Sequence, residues 1–200
     1  MKTIFPRAAT LSLFLILPAL PLLQGCFPLI AAGAGTAAMV AVDRRQPEIV
    51  LGDQRIEVTA ATRIGSLIKD QGHVNVTSFN HVVLLTGETT SENLKAEVER
   101  IAAAVTQVKS VVNEIQVAGA SSFASRSNDT FITGKVKAGF VSLDKFSPND
   151  VKVVTEAGVV YLMGLVTRKE ADDATEATRA VGGVRKVVRV FEYIVAAPAR

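Results

Sequence analysis

Chemistry has few places to reside in this chain. His73 and His81 are its two imidazoles. They fall at the entry to a β-branched run and in the short turn that ends it, and they read as exposed turn residues. Asp172, Asp173 and Glu176 lie on the polar face of a helical pattern, where solvation is the ordinary role of a carboxylate. There is no His-Glu-x-x-His, no nucleophile elbow and no phosphate-cradling glycine loop. Gly33-Ala34-Gly35 sits in an Ala/Gly-rich stretch, not between a strand and a helix. No catalytic residue, no metal site and no cofactor is expected, and the chain reads as a non-enzyme. What remains is surface chemistry. Phe131, Lys135 and Ala138 recur at i, i+4 and i+7, beside a core-facing set of Ile132, Val136, Gly139 and Phe140. At helical spacing the first set points about 125° away from the second. An aromatic ring next to an ammonium, turned off the core face, suits a bilayer interface: the ring enters the acyl boundary and the lysine stays among headgroups.

Magnitudes limit what such a patch can do. Burying one Phe contributes about 1.5–3 kcal/mol, and each lysine near an anionic surface adds about 1 kcal/mol. Phe131 with Lys135, Lys137 and Lys145 totals on the order of 5 kcal/mol, which is near-millimolar binding. Lys137 lies on the other flank of the helix. Lys145 sits in the following loop, where Leu143 and Phe146 form a second candidate wedge; Phe146 also reads as satellite core, with Pro148 fixing the turn after it. The alternative for Phe131 is packing beneath the neighbouring linker or against the first of two units, residues 47–118. A near-millimolar contact orients a protein already held at a membrane and does not recruit a free one.

The holding group is legible near the N-terminus. Lys2 and Arg7 precede an apolar run from Ala8 to Leu20, which has the form of a secretory leader. The run closes on Leu23-Gln24-Gly25-Cys26, which contains the only cysteine of the chain. This resembles a lipobox. The resemblance implies cleavage of residues 1–25 and acylation of Cys26 with palmitate-like chains. The alternative is an uncleaved transmembrane anchor, because Ala8 to Val42 is long enough to span; Pro18, Pro21, Gln24, Gly33 and Gly35 interrupt it. With Cys26 acylated no thiol remains, so disulfides, a Cys-based metal site and a Cys nucleophile are excluded. Two or more acyl chains give stable anchoring. Phe27, not Asp, follows the cysteine; in the lipoproteins this resembles, that implies the outer membrane.

About 175 residues remain, enough for one ordinary domain or two small ones. Residues 26–46 are Ala/Gly-rich and read as a lipidated tether with little material for a core. A second low-complexity stretch, Ala118 to Ser125, reads as a linker, placed at 119–127. The segments between repeat each other. Val74–Gly87 matches Val151–Gly164 at a constant offset of 77, each copy reading strand, short turn, strand, glycine. Gly87 and Gly164 are expected to end the second strand, where a turn or a close approach needs glycine. An amphipathic helix follows: Leu94, Val98, Ile101, Ala102 and Val105 in the first copy, Ala171, Ala174, Thr178 and Val181 in the second. Thr167-Arg168-Lys169-Glu170 fits a capping box. A third strand is read at Val108–Ile115 and Val184–Phe191. A helix precedes each pair of strands, marked by Ile56, Ala60, Ile64, Leu67 and Ile68, and by Ile132, Val136 and Phe140, with Asn128 or Asp129 as N-cap. Aligning these helices at offset 72 gives the second copy about five extra residues around Leu143 to Asn149. It also pairs Phe131, Lys135 and Ala138 with the polar Thr59, Arg63 and Ser66.

The fold class expected is α+β: two tandem αββαβ units, each a three-stranded sheet with two helices on one face. The units occupy 47–118 and 128–195, with a tail at 196–200. The order Leu162-Met163-Gly164, amphipathic helix, Gly183-Val184-Arg185-Lys186-Val187 is similar to the BON domain; the first copy departs from it at Gln107-Val108. Two such units behind a lipobox, with Asn128-Asp129-Thr130-Phe131-Ile132-Thr133 opening the second, resemble the dual-BON outer-membrane lipoproteins. That resemblance implies a non-enzymatic protein on the periplasmic face. Its second unit would bind anionic phospholipid (phosphatidylglycerol or cardiolipin) through the helix of Phe131, Lys135, Ala138 and Lys137, with Lys145, and the protein would support envelope integrity. A tryptophan is commoner in the family where Phe131 stands here. The rival expectation is a periplasmic adaptor whose units bind an outer-membrane assembly or cell-wall protein. Residues 47–118 carry six basic against nine acidic side chains, and residues 126–195 eleven against nine. No dense basic stripe is present, so nucleic acid is not an expected partner.

Overall fold

The two periodicities fold as two copies of one αββαβ unit. The computed structural model describes residues 43–119 and 121–195. The expected leader, Cys26, the expected tether through residue 42 and the tail 196–200 lie outside the described residues. In the first unit helix α1 (Pro47–Ile68) opens on its proline, where a missing N–H costs nothing. Strands β1 (Gly72–Phe79) and β2 (Val82–Thr89) pair antiparallel, from Gly72↔Thr89 to Phe79↔Val82. Helix α2 (Glu92–Ala103) is capped by Ser91, whose hydroxyl accepts from Leu94 N. Strands β3 (Ser110–Asn113) and β4 (Gln116–Val117) run parallel to β2. The second unit has α3 (Phe123–Leu143), a 3-10 turn (Pro148–Asp150), β5 (Val151–Glu156), β6 (Val159–Val166), α4 (Arg168–Arg179) and β7 (Lys186–Tyr193). Its sheet order is β5-β6-β7, with β5 antiparallel and β7 parallel to β6. The capping box forms: Thr167 Oγ1 accepts from Glu170 N, and Glu170 accepts from Thr167 N at 2.8 Å.

Each hairpin turns on two residues with positive φ, Asn80 and His81 in one, Ala157 and Gly158 in the other. That is the two-residue geometry whose twist matches paired strands. In both units a buried aspartate from the first helix holds the turn. Asp53 accepts from Asn80 N, His81 N and Ser78 Oγ at 2.6–2.8 Å. Asp129 accepts from Ala157 N and Gly158 N at 2.8 Å. This fixes the relation between the helices at an offset of 76, not 72. Ile56, Ala60 and Ile64 correspond to Ile132, Val136 and Phe140, so the supposed five-residue excess is not there. A helical pattern looks the same after a slide of four residues; only the aspartate breaks the tie. It also means Asp129 is not the N-cap. Helix α3 starts earlier, at Phe123, with Ser122 Oγ accepting from Ser125 N at 3.2 Å, so the second half of the expected linker is helical.

Further expectations change. Gly87 and Gly164 lie inside β2 and β6 rather than at their ends. The close approach is present: a Cβ on Gly164 would stand 2.5 Å from the Asp150 carbonyl oxygen, and one on Gly87 would collide with that of His73. His81 is buried, not exposed, because the turn tucks under α1, where Gly52 leaves room for its ring. His73 is half-buried in β1. The third strand of the first sheet is also broken where its counterpart β7 is continuous. Asn113 Oδ1 accepts from Ile115 N at 3.2 Å and its amide donates to Glu99 at 2.9 Å. A side chain bonding its own backbone two residues on competes with the ladder; Arg189 occupies the equivalent place in β7.

Alternation along the strands sends Val83 and Leu85 toward α1 and α2, and Val160 and Leu162 toward α3 and α4. The opposite faces are apolar as well. Phe79 and Leu84 from the first sheet meet Tyr161 and Met163 from the second in a separate buried cluster. The sheets therefore pack back to back with helices outside, and the described residues all belong to one compact unit. One pair of equivalent positions, one in each unit, reaches across the seam in both directions. Asn75 Nδ2 donates to Glu156 at 2.9 Å, while its counterpart Lys152 donates to Glu57 at 2.6 Å and to Ser78 O. The arrangement approximates a twofold axis within one chain.

Candidate functional site

The outward face of α3 carries the aromatic–basic stripe. Phe131 is 62% exposed, and its neighbour Ile132 is buried against the sheet. Lys135 Nζ lies 4.3 Å from the ring centroid, a cation–π contact that holds the ring and the ammonium together at the surface. Ala138, two turns along, is exposed and adds a small apolar step. Lys137 is exposed on the flank; neither it nor Lys135 forms an ion pair among the described residues. Lys145 is elsewhere. It lies two residues beyond the helix end, and the helix from Phe131 to its last residue, Leu143, already spans about 18 Å at 1.5 Å per residue. Its ammonium is 2.8 Å from Asp173, which Lys169 shares, and these two lysines hold the Asp173 carboxyl below the usual carboxylate range. Phe146, the second candidate wedge, is buried edge-on against Phe140 at 5.2 Å between centroids and belongs to the core.

One residue escaped the sequence reading. Val141 is 66% exposed and continues the outward face at i+10 from Phe131. Gly134, between them, has open space around it. The apolar stripe is thus Phe131, Gly134, Ala138 and Val141, about 15 Å long at helical rise, edged by Lys135 on one side and Lys137 on the other. Helical spacing alone would have found Val141. Lys137 and Val141 also line a groove of about 510 Å³ whose other walls include Val50 and Gln54 of α1 and Arg45.

The corrected offset changes the internal comparison. The counterparts of Phe131, Lys135 and Ala138 in the first unit are Arg55, Thr59 and Thr62. The aromatic ring is still missing there and the stripe is still polar at those places. Leu51 and Val58, at 52% and 68% exposure, flank Arg55, so the first helix presents an aliphatic surface of its own.

The end of the expected tether is fastened down. Arg44 pairs with Glu170 at 2.6 Å and Asp150 at 2.9 Å, and donates to Leu165 O. Arg45 pairs with Asp43 and Asp53 at 2.6 Å and lies 3.9 Å over the Phe79 ring. The hydrogen bond from Arg44 holds the Glu170 carboxyl at about 2, although burial opposes the shift. Burial pushes Asp150 up, with Arg44 working against it. Among the described residues no group of three or more His, Asp or Glu side chains could hold a metal ion, and no helix is long and apolar enough to cross a membrane.

Fold and duplication define a protein with two BON domains in tandem. Residues 53–119 and 128–194 each match the BON domain, and the chain belongs to that family. It is 35% identical over 184 residues to the outer membrane lipoprotein DolP of Haemophilus influenzae, covering 91% of this chain and 95% of that one. A 21 kDa hemolysin of Actinobacillus pleuropneumoniae is 30% identical over 155 residues, 76% of this chain and 80% of that protein. The osmotically-inducible protein Y of Escherichia coli is 32% identical over 57% of this chain and 58% of its own length. The chain is a DolP-like, dual-BON protein of the outer-membrane lipoprotein kind.

Proposed function

We propose that the protein is anchored through acylated Cys26 to the periplasmic face of the outer membrane, and that α3 binds anionic phospholipid there in support of envelope integrity. Phosphatidylglycerol or cardiolipin supplies the negative headgroup. Phe131 and Val141 enter the acyl boundary, Ala138 and Gly134 let the helix lie close, and Lys135 and Lys137 meet the phosphates. The observation that carries this reading is the outward Phe131 ring with the Lys135 ammonium over it. Lys145 is held by Asp173 and would join only by exchanging that partner for a headgroup.

Co-sedimentation of residues 43–200 with liposomes tests it. Phosphatidylglycerol vesicles are expected to pull down several-fold more protein than phosphatidylcholine vesicles, and Phe131→Glu to abolish the difference. Equal binding to both lipids, or no loss with Phe131→Glu, counts against lipid recognition. The adaptor reading draws on the exposed Leu51 and Val58 of α1. Crosslinking in cells from position 58 to a single envelope protein, with no lipid preference, would favour it.

A further inference from the structure

We infer that Asp43-Arg44-Arg45 is a strap that fastens the incoming tether across both units, so that the anchored chain leaves beside α3 and the helix is presented to the bilayer. The inference rests on the lipid reading of α3 and adds to it a device for orientation. Adjacent arginines reach opposite ways. Arg44 is held by the second unit, through Glu170, Asp150 and Leu165 O. Arg45 is held by the first, through Asp53 and the Phe79 ring. Asp43 closes the segment by accepting from Arg45 N at 2.9 Å and from its guanidinium. The partners are parts of the fold itself: Asp53 caps the first hairpin turn, Glu170 closes the capping box of α4, and the Asp150 carbonyl packs on Gly164.

The location ties the strap to the lipid-facing helix. Arg45 shares a groove with Lys137 and Val141. Arg44 shares a cleft with Lys145, just past the end of α3. The chain therefore departs at the flank of the helix that carries the exposed apolar stripe. The tether between Cys26 and Asp43 spans at most about 60 Å when extended, long enough to let an unstrapped protein turn in many directions. Fixing its point of departure narrows those directions, and a contact that is near-millimolar alone gains from the higher local concentration.

The chain has no tryptophan, so Phe131→Trp gives a single reporter. Full-length lipidated Phe131→Trp protein in nanodiscs containing brominated phosphatidylglycerol is expected to show strong quenching. Adding Arg44→Ser with Arg45→Ser should cut the quenching at least threefold. A six-residue Gly-Ser insertion before Asp43 lengthens the tether but spares the strap, and should change it by less than a third. Arg44→Ser alone, which keeps Arg45 on Asp53, should fall between; far-UV circular dichroism confirms that each variant is folded, and this single variant decides the matter if the double one is not. Quenching that is undiminished by the loss of Arg44 in folded protein overturns the strap. A larger loss from the insertion than from strap removal overturns it as well. No quenching with the strap intact overturns the lipid reading itself.

Discussion

Gly164 shows what one residue can fix. It lies in the middle of a strand, where glycine is usually unfavourable, yet the Asp150 carbonyl leaves no room for a Cβ. Gly164→Ala is expected to cost about 1–3 kcal/mol in urea unfolding, the range for forced overpacking. The repeat marked this glycine at once, because its twin Gly87 holds the same place against His73. The strand alternation running past it was equally visible, but a carbonyl arriving from a segment fourteen residues upstream was not. Gln107 carries the complementary message. It occupies a positive φ, as Gly183 does in the second unit, so the backbone motif survives where the sequence motif departs. The left-handed region costs a non-glycine residue roughly 1 kcal/mol, and the first unit tolerates it.

At the scale of elements, α3 is the instructive case. Its core face was legible from Ile132, Val136 and Phe140, and its outward face from Phe131, Lys135 and Ala138. Its start was not. Ser122 caps it inside a stretch whose Ala, Ser and Gly composition reads equally as a linker, and Asp129, one of the two expected caps, is engaged by the β5–β6 turn. The alignment of the two first helices failed for a related reason: periodicity fixes a face but not a register, and the residue that sets register bonds a turn 28 positions away. Gly134 offers a test of the outward face. It is exposed, and a methyl placed on its Cα would meet nothing within 4 Å, so Gly134→Ala should raise stability by about 1 kcal/mol in thermal or urea unfolding. A loss instead would mean that something in the folded chain covers this stripe.

At the scale of the whole molecule, the back-to-back sheets were beyond the sequence reading. Each strand alternates between two apolar faces, and a single copy gives no sign of what covers the second. The shared cluster of Phe79, Leu84, Tyr161 and Met163 predicts that the units melt together. Calorimetry of the intact chain should show one transition. Leu84→Asp, which places a charge in that cluster, should split it into two or abolish folding of both units; two transitions in the unaltered protein would contradict a shared core. Acid is expected to act at the strap. Glu170 is held at about 2, below its ordinary value of 4.5. The stabilisation is therefore full above about pH 4.5 and is lost as pH falls toward 2. Because Arg44 is a third exposed, screening limits the effect to on the order of 1–2 kcal/mol. Glu170→Gln keeps a capping side chain and should flatten this acid limb when urea midpoints at pH 5 and pH 3 are compared; an unchanged slope would place the acid sensitivity elsewhere. Asp150, raised by burial, works in the opposite sense, gaining as it takes up a proton.

The approximate twofold between the units carries a consequence for ancestry. A solitary αββαβ module of this composition would hold an oily sheet surface open to water, and the nearest complementary cover is an identical neighbour. Joining two copies on one polypeptide makes that partnership permanent at any expression level. It also frees the halves to differ: one helix carries a benzyl side chain where the other carries a guanidinium.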